Sequence, residues 1–213
     1  MKKIFLFSLL IAFMFSCSPK QELFVIETDY GNMKVKLYDS TPQHRDNFKK
    51  LVAEGYYNDL LFHRVINNFM VQGGDPDSKG APSTKRLGMG GPGYRTPAEI
   101  GAFHFKGTLA AARQGGPSNP QKESSGSQFY IVHGKSVTEA ELANLAKQKG
   151  ITYSAEDIAR YVKNGGTPFL DNEYTVFGEV VEGMDVVDKI ATVEVAPGDR
   201  PVKDVTMKIS AAK

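Results

Sequence analysis

Short runs of alternating apolar and polar residues, separated by glycine-containing turns, most limit what this chain can fold into. Met33, Val35 and Leu37 alternate with Lys34, Lys36 and Tyr38, which is the period of a strand with one buried face. The same alternation returns in Val205, Met207 and Ile209 near the end of the chain. Many short strands, few helices and frequent glycines predict a mainly β protein, either a sandwich or a barrel.

The predicted elements follow one another closely. A helix is predicted where Thr41 can act as the N-cap, Pro42 occupies the first helical position and Gly55 ends the segment. Residues 76–98 are rich in Gly, Pro and Ser and are predicted to form a loop. The other predicted elements are strands at 23–27, 33–38, 61–66, 69–72, 107–112, 128–132, 174–180 and 205–209, and a helix at 183–191.

Residues 134–167 interrupt the strand pattern. Thr138 and Ser154 each stand three residues before an acidic residue, at the start of a run rich in helix-forming residues. Gly150 and a glycine pair at 165–166 are expected to end these two helices. The segment is therefore predicted to be a helical insertion between two strands. Two interpretations stay open: a packing or partner-binding element, and a solvent-exposed elaboration of a loop.

The first residues have the composition of an export signal. Two lysines precede an almost unbroken apolar run, which is shorter than the roughly 20 residues that a membrane-spanning helix needs. The run ends just before Cys17, which resembles the acceptor of a bacterial lipoprotein signal. We therefore predict a cleaved signal peptide at residues 1–16, lipidation of Cys17, and a short tether over residues 17–22. The alternative is an ordinary secretory signal that leaves Cys17 as an incidental thiol.

Charge and cysteine content narrow the possible functions. No cysteine follows Cys17, so the rest of the chain can form neither an intrachain disulfide nor a cysteine-based metal site. The chain has 26 basic and 24 acidic residues, and the counts become equal once Lys2 and Lys3 leave with the signal. This balance gives no indication of nucleic-acid binding. No Cys/His/Asp cluster has metal-ligand spacing, so we predict no metal and no other cofactor.

Residues 62–75 carry the most specific chemistry. Arg64 and Gln72 supply a permanent positive charge and a side-chain amide, whereas Phe69 and Met70 supply an apolar wall. The segment offers no nucleophile and no evident general base. Such a set can bind and polarise an amide, and it suits a reaction in which no covalent bond is made or broken.

Four sequence blocks resemble the signature of the cyclophilin-type peptidyl-prolyl cis-trans isomerases. Besides residues 62–75, they are Gly107-Thr108-Leu109-Ala110-Ala111-Ala112-Arg113, Gly126-Ser127-Gln128-Phe129-Tyr130-Ile131, and the pair Phe169-Leu170-Asp171-Asn172 and Thr175-Val176-Phe177-Gly178. The resemblance covers roughly residues 23–209 apart from the insertion. It implies a closed eight-stranded antiparallel β-barrel capped by two helices, formed by residues 23–213. It also implies rotation about Xaa-Pro bonds, with proline-containing peptides and unfolded proteins as partners.

The resemblance further implies a role for each residue of a substrate groove on the outer surface of the barrel. Arg64 would donate a hydrogen bond to the prolyl nitrogen, whose lone pair becomes available when the amide twists. Gln72 would hydrogen-bond the substrate backbone, and Gln128 would position Arg64 or the substrate. The other implied substrate-binding residues are Phe69, Met70, Tyr130 and Leu170 around the proline ring, together with Ala112, Phe169, Tyr174 and the backbone N–H of Arg113.

Four of these positions depart from residues that are common in the family. Arg113 stands where many members have Asn, and Phe169, Tyr174 and Tyr130 stand where Trp, His and Phe are common. The last three keep an aromatic ring, so activity is expected, but the missing indole argues against strong cyclosporin binding. Because the backbone makes the contact at Arg113, the changed side chain is expected to be tolerated.

Other interpretations fit the sequence less well. A module that binds proline-containing peptides without turnover, or a structural envelope protein, has little use for Arg64 together with Gln72.

His63 is next to Arg64 on a predicted strand and therefore points to the opposite face, which favours a structural histidine. Three glycines at 88, 90 and 93 have the spacing of a dinucleotide site but lack the flanking strand and helix. We therefore expect a monomeric isomerase that assists the folding of exported proteins and is lipid-anchored in the cell envelope.

Overall fold

The computed structural model describes residues 22–212 and shows a mainly β protein, as predicted. The described strands are β1 (Leu23–Thr28), β2 (Gly31–Leu37), β3 (Leu60–Leu61), β4 (Arg64–Ile66), β5 (Met70–Gly73), β6 (Arg95–Thr96), β7 (Thr108–Ala111), β8 (Ser124–Ser125), β9 (Phe129–Val132), β10 (Val176–Glu182) and β11 (Thr206–Ala211). The described α-helices are α1 (Pro42–Ala53), α2 (Glu139–Lys149), α3 (Ala155–Asn164) and α4 (Met184–Ala191). None of them is both long and apolar enough to cross a membrane. The predicted signal peptide and Cys17 lie outside the described residues.

Nine strands form one antiparallel sheet, in the order β3-β11-β1-β2-β10-β7-β9-β5-β4, and β6 pairs with β8 separately. The prediction of a closed eight-stranded barrel is therefore wrong, because the sheet is a curled half-barrel. The extra strand arises because the predicted strand at 61–66 is two strands, which lie at opposite edges of the sheet. Residues 62 and 63 carry the chain between these edges. The N–H of Phe62 still bonds to the carbonyl of Val205, in register with the pairing of β3 and β11, before the chain reaches β4.

The main core lies on the inner face of this sheet. Val35, Leu109 and Ile131 are completely buried there, and α1 and α4 cover the core with Phe48 and Ile190 among other side chains. These are the two capping helices that the sequence predicted. Side chains alternate between the two faces of a strand, so the residues next to Leu109 and Ile131 in the chain point outward. Ala110 and Tyr130 are such residues, and they belong to a second apolar cluster on the outer face.

Helix α1 begins where the sequence predicted but is capped differently. The hydroxyl of Thr41 donates to the carbonyl of Tyr38, and no side-chain capping bond is made by this residue. The Glu99 carboxylate accepts the N–H groups of Gln43 and His44 at 3.1 and 3.0 Å instead. It also lies 2.6 Å from Nδ1 of the buried His44 ring. A residue distant in sequence thus satisfies the free donors of the first helical turn.

The insertion contains two helices, as predicted. Both capping boxes form: Thr138 pairs with Glu141 at the start of α2, and Ser154 pairs with Asp157 at the start of α3. Gly150 ends α2 in the left-handed conformation. The helices pack on a separate cluster formed by the buried residues Phe105, Val137, Leu142 and Tyr161. The insertion is therefore packed against Phe105, in the segment that precedes β7, and is more than a solvent-exposed loop.

Candidate active site

The strand register places Arg64, Gln72 and Tyr130 in one row. Arg64 is opposite Gln72 across β4 and β5, and Gln72 is opposite Tyr130 across β5 and β9. Directly paired residues of antiparallel strands project from the same face, here the outer face. Their chain neighbours Val65 and Val71 point into the main core. The alternation of β4 and β5 therefore builds the core and the site at the same time.

A small cavity of about 160 Å³ lies against this row. Such a volume is below the 300–1,000 Å³ typical of pockets for larger ligands and suits a single ring. Its lining consists of Arg64, Phe69, Met70, Gln72, Ala112, Arg113, Tyr130, Leu170 and Tyr174. Nine of the eleven predicted groove residues thus surround one cavity. We call it the proline pocket.

The two other predicted groove residues, Gln128 and Phe169, lie just outside this lining. The Phe169 side chain is 46% exposed, and its ring centroid is 5.5 Å from that of Phe69, so it extends the apolar rim. Gln128 accepts a hydrogen bond from the side-chain amide of Gln72 at 3.1 Å and donates to the carbonyl of Gly90 at 2.8 Å. Gln128 consequently holds Gln72, and within residues 22–212 it makes no hydrogen bond to Arg64.

The Arg64 guanidinium lies at the mouth of the proline pocket. Its side chain is 42% exposed, and its Nε is 3.4 Å from a carboxylate oxygen of Asp199. Asp199 has a left-handed backbone conformation with φ 67° and lies in the loop before β11. The two Nη groups of Arg64 have no hydrogen-bond partner within the described part of the chain. They are therefore available to a ligand in the pocket.

The side chain of Arg113 lines the proline pocket, and Glu173 and Tyr174 hold its guanidinium. Its Nε donates to the carbonyl of Glu173 at 2.8 Å, its Nη2 reaches the Glu173 carboxylate at 3.0 Å, and its guanidinium carbon lies 4.5 Å from the Tyr174 ring centroid. The charge is thus paired and stacked. The backbone N–H of Arg113 has no hydrogen-bond partner within residues 22–212 and can bind a carbonyl oxygen.

Tyr130 forms the buried floor of the pocket. Burial raises the pKa of its hydroxyl well above the usual value, so the hydroxyl stays protonated. It lies 3.0 Å from Nε2 of His104, a completely buried residue whose pKa is lowered by burial. His104 was not predicted from the sequence as a site neighbour. Neither was Asp199, because no local pattern links it to Arg64.

His63 is buried, and neither of its ring nitrogens makes a hydrogen bond. It does not line the proline pocket but borders a larger cleft of about 910 Å³ on the other side of Arg64. Burial lowers its pKa. Among residues 22–212, no three His, Cys, Asp or Glu side chains are grouped so that they could hold a metal ion.

Comparison with known proteins identifies the family. Residues 23–211 match the family model described as cyclophilin type peptidyl-prolyl cis-trans isomerase/CLD. A relative from Staphylococcus saprophyticus that bears the name of a peptidyl-prolyl cis-trans isomerase is 39% identical over 189 residues, covering 86% of this chain and 87% of the relative. One of the same name from Staphylococcus aureus is 35% identical over 185 residues, covering 86% and 88%. The chain therefore belongs to the cyclophilin-type peptidyl-prolyl isomerases.

Solved structures support the fold. A cyclophilin type isomerase from Cryptosporidium parvum superimposes with a TM-score of 0.64 at 23% identity, covering 91% of this chain and 99% of the other. The same protein solved in the presence of the dipeptide Ala-Pro gives a TM-score of 0.62 at 23% identity, covering 90% and 99%. The family model and the Staphylococcus relatives confirm the family resemblance seen in the sequence and the activity class, peptidyl-prolyl cis-trans isomerase.

Proposed function

We propose that this isomerase acts on Xaa-Pro bonds of exported proteins, through Arg64 at the proline pocket, and assists their folding in the cell envelope. The observation that carries the catalytic part is the geometry of Arg64: within the described chain its guanidinium has two unpaired Nη groups at the mouth of a small cavity that Phe69, Met70 and Leu170 line in part. The Cryptosporidium relative was solved in the presence of the dipeptide Ala-Pro, which supports a proline-containing substrate for this chain as well.

Arg64 would act on the twisted state of the substrate amide. Resonance in a planar amide makes the barrier to rotation about 18–20 kcal/mol. When the bond twists, resonance is lost and the prolyl nitrogen regains a lone pair. A charged hydrogen-bond donor at this nitrogen stabilises the twisted state more than either planar state, which is the condition for a faster reaction. Each ~1.4 kcal/mol of such differential stabilisation gives a tenfold rate increase.

The rest of the site would hold the substrate while the bond rotates. Phe69, Met70 and Leu170 supply apolar contacts for the proline ring. Gln72, with its amide held by Gln128, keeps its own carbonyl oxygen free to accept from a substrate N–H. The backbone N–H of Arg113 supplies a donor for a substrate carbonyl. Anchoring one side of the bond leaves the other side free to turn.

The location in the cell envelope is supported by the sequence at the start of the chain. This region has the composition of a signal that is removed before a lipid-modified cysteine: two lysines, Lys2 and Lys3, then an apolar run, then Cys17. We propose that residues 17–22 tether a monomeric isomerase domain to a membrane. Unfolded chains that emerge from export would then meet the proline pocket near the membrane surface.

The decisive test of the catalytic proposal is cis/trans exchange of a short Ala-Pro-Phe peptide, measured by NMR for wild type and Arg64→Ala. We expect fast exchange with wild type and at least a tenfold lower catalytic efficiency with the variant, with an unchanged circular dichroism spectrum. Equal exchange rates for the two folded proteins would disprove the role of Arg64. Peptide binding by wild type without faster exchange would instead favour a binding module.

The anchor is tested separately by fractionation of cells that produce wild type or Cys17→Ala. We expect the wild-type protein in the membrane fraction and the variant in the soluble envelope fraction. Ser18→Ala is the control, because it changes a neighbouring residue without removing the thiol. Identical fractionation of wild type and Cys17→Ala would show that Cys17 does not anchor the protein.

A further inference from the structure

The helical insertion is joined to the proline pocket by hydrogen bonds. The pocket wall residue Leu170 belongs to a one-turn helix, Pro168–Leu170, which Asp171 follows directly. We call residues 168–171 the wall turn. From these contacts we propose that the insertion positions the wall and floor of the proline pocket, so that Lys149 and Tyr161 help to determine how tightly the enzyme binds prolyl substrates. The proposal rests on the use of this pocket proposed above.

Lys149, the last residue of α2, holds the wall turn from outside. Its ammonium donates to the carbonyl of Phe169 at 2.6 Å and to the carbonyl of Asp171 at 3.1 Å. These two carbonyls belong to the residues on either side of Leu170. Charged donors form stronger hydrogen bonds than neutral ones. One side chain of the insertion therefore fixes the backbone that presents Leu170 to the substrate.

Asp171 anchors the same turn from inside. It is completely buried, and one carboxylate oxygen accepts from the hydroxyls of Tyr161 and Tyr153 at 2.7 and 2.8 Å. The other oxygen accepts from the backbone N–H of His104 at 2.8 Å and lies 2.9 Å from Nδ1 of the same residue. A buried carboxylate needs such partners, because an unpaired one costs several kcal/mol. Two of the partners are tyrosines of the insertion.

The chain of contacts continues to the pocket floor. A carboxylate can only accept, so Nδ1 of His104 carries the proton that faces Asp171. Because the His104 ring is neutral, its Nε2 accepts a hydrogen bond from the Tyr130 hydroxyl at 3.0 Å. This bond gives a physical reason for Tyr130 at a position where the family commonly has Phe. The insertion thereby reaches both the wall and the floor of the pocket.

These contacts do not reach the residues proposed to act on the twisting bond. Within residues 22–212, Arg64 pairs with Asp199, and Gln72 is held by Gln128. Loss of the contacts from the insertion should therefore weaken binding of the substrate proline ring equally in the ground state and in the transition state. Loss of such uniform binding raises KM and leaves kcat nearly unchanged.

The test compares Lys149→Met with Lys147→Met in the whole protein. Lys147 is an exposed residue of the same helix whose side chain makes no hydrogen bond or ion pair within the described chain. Line-shape NMR of an Ala-Pro-Phe peptide gives kcat and KM, and a titration gives the peptide Kd. We expect Lys149→Met to raise KM and Kd threefold to tenfold, with kcat within twofold of wild type. Lys147→Met should match wild type.

Further variants separate positioning from a general loss of stability. A merely structural role lowers the folded fraction, and hence the apparent kcat, without a change in KM. Lys149→Arg keeps a charged donor and should restore much of the affinity, and Tyr161→Phe should raise KM in the same way as Lys149→Met. Unchanged KM and Kd in both folded variants, Lys149→Met and Tyr161→Phe, would overturn the proposal. A wild-type protein that binds the peptide without turnover would disprove the proposed catalysis, whereas the Kd comparison would still test the insertion.

Discussion

Arg64 and Gln72 lie directly opposite each other on neighbouring antiparallel strands, so the guanidinium and the amide face the same cavity. A shift of the register by one residue would turn one of the two strands over and place its site residue in the core. The register is set by the turn between β4 and β5, where the N–H of Phe69 bonds to the carbonyl of Ile66. Local turn geometry is therefore a condition for the active site.

The turn depends on Asn68, which has a left-handed backbone conformation with φ 59°. Glycine adopts this conformation without strain, Asn tolerates it, and a residue with an ordinary Cβ pays roughly 1 kcal/mol or more. We expect Asn68→Ala to lower the free energy of unfolding by about 1 kcal/mol, and Asn68→Gly to be close to neutral. Urea denaturation followed by circular dichroism measures both. A loss with Gly equal to that with Ala would show that the Asn side chain, and not the backbone conformation, is what the turn requires.

Gln128 is predicted to act on catalysis through Gln72. Its carbonyl oxygen accepts from the Gln72 amide, and its own amide is tied to Gly90. Removal of an orienting hydrogen bond worth about 1 kcal/mol should reduce kcat/KM roughly fivefold in Gln128→Ala. The peptide exchange assay measures this, with Gln148→Ala on the exposed side of α2 as the control. Equal efficiency of wild type and Gln128→Ala would mean that Gln72 needs no support.

The sequence predicts local features of this protein better than it predicts contacts between residues that are far apart in the chain. Each predicted strand overlaps an observed one, and both capping boxes of the insertion form, because these signals lie within a few neighbouring residues. By contrast, Asp199 reaches Arg64 across 135 positions, and Glu99 reaches His44 across 55. Such pairs are set by how the sheet curls, and no spacing along the chain reveals them.

The prediction of an eight-stranded closed barrel was wrong for a related reason. The segment 61–66 is predicted as one continuous strand, yet two residues in its middle cross from one edge of the sheet to the other. Hydrophobicity indicates which side chains are buried, and Phe62 is indeed completely buried. It does not report which backbone supplies the hydrogen-bond partner, and this is what divides one strand into two.

The capping of α1 leads to a prediction that separates Glu99 from Thr41. Glu99→Ala removes the acceptor of two helical N–H groups and leaves the buried His44 ring without its carboxylate partner. We expect a loss of about 1–3 kcal/mol in the free energy of unfolding. Thr41→Ala should cost less, because its hydroxyl bonds only to the carbonyl of Tyr38. Urea denaturation decides between them, and a larger loss for Thr41→Ala would restore Thr41 as the effective cap.

His63 should make stability depend on pH. Burial lowers the pKa of His63 in the folded protein. Below about pH 6.5, the ordinary pKa of histidine, the unfolded chain therefore binds a proton at His63 that the folded protein does not bind. Above this pH, His63 therefore leaves the free energy of unfolding at its full value. On acidification the free energy of unfolding falls, until the pH reaches the pKa of His63 in the folded protein. The slope from one such proton is at most about 1.4 kcal/mol per pH unit.

The variant that isolates this effect is His63→Leu, because neither ring nitrogen makes a hydrogen bond that the substitution would break. Urea denaturation at intervals between pH 5 and 8.5 should show a shallower loss on acidification for the variant than for wild type. Part of the loss should persist, because burial also lowers the pKa of His44, His104 and His133. Above pH 7.5 the two profiles should run parallel, since histidine is neutral there in both states. Parallel profiles over the whole range would mean that His63 accepts a proton as readily in the folded protein as in the unfolded chain.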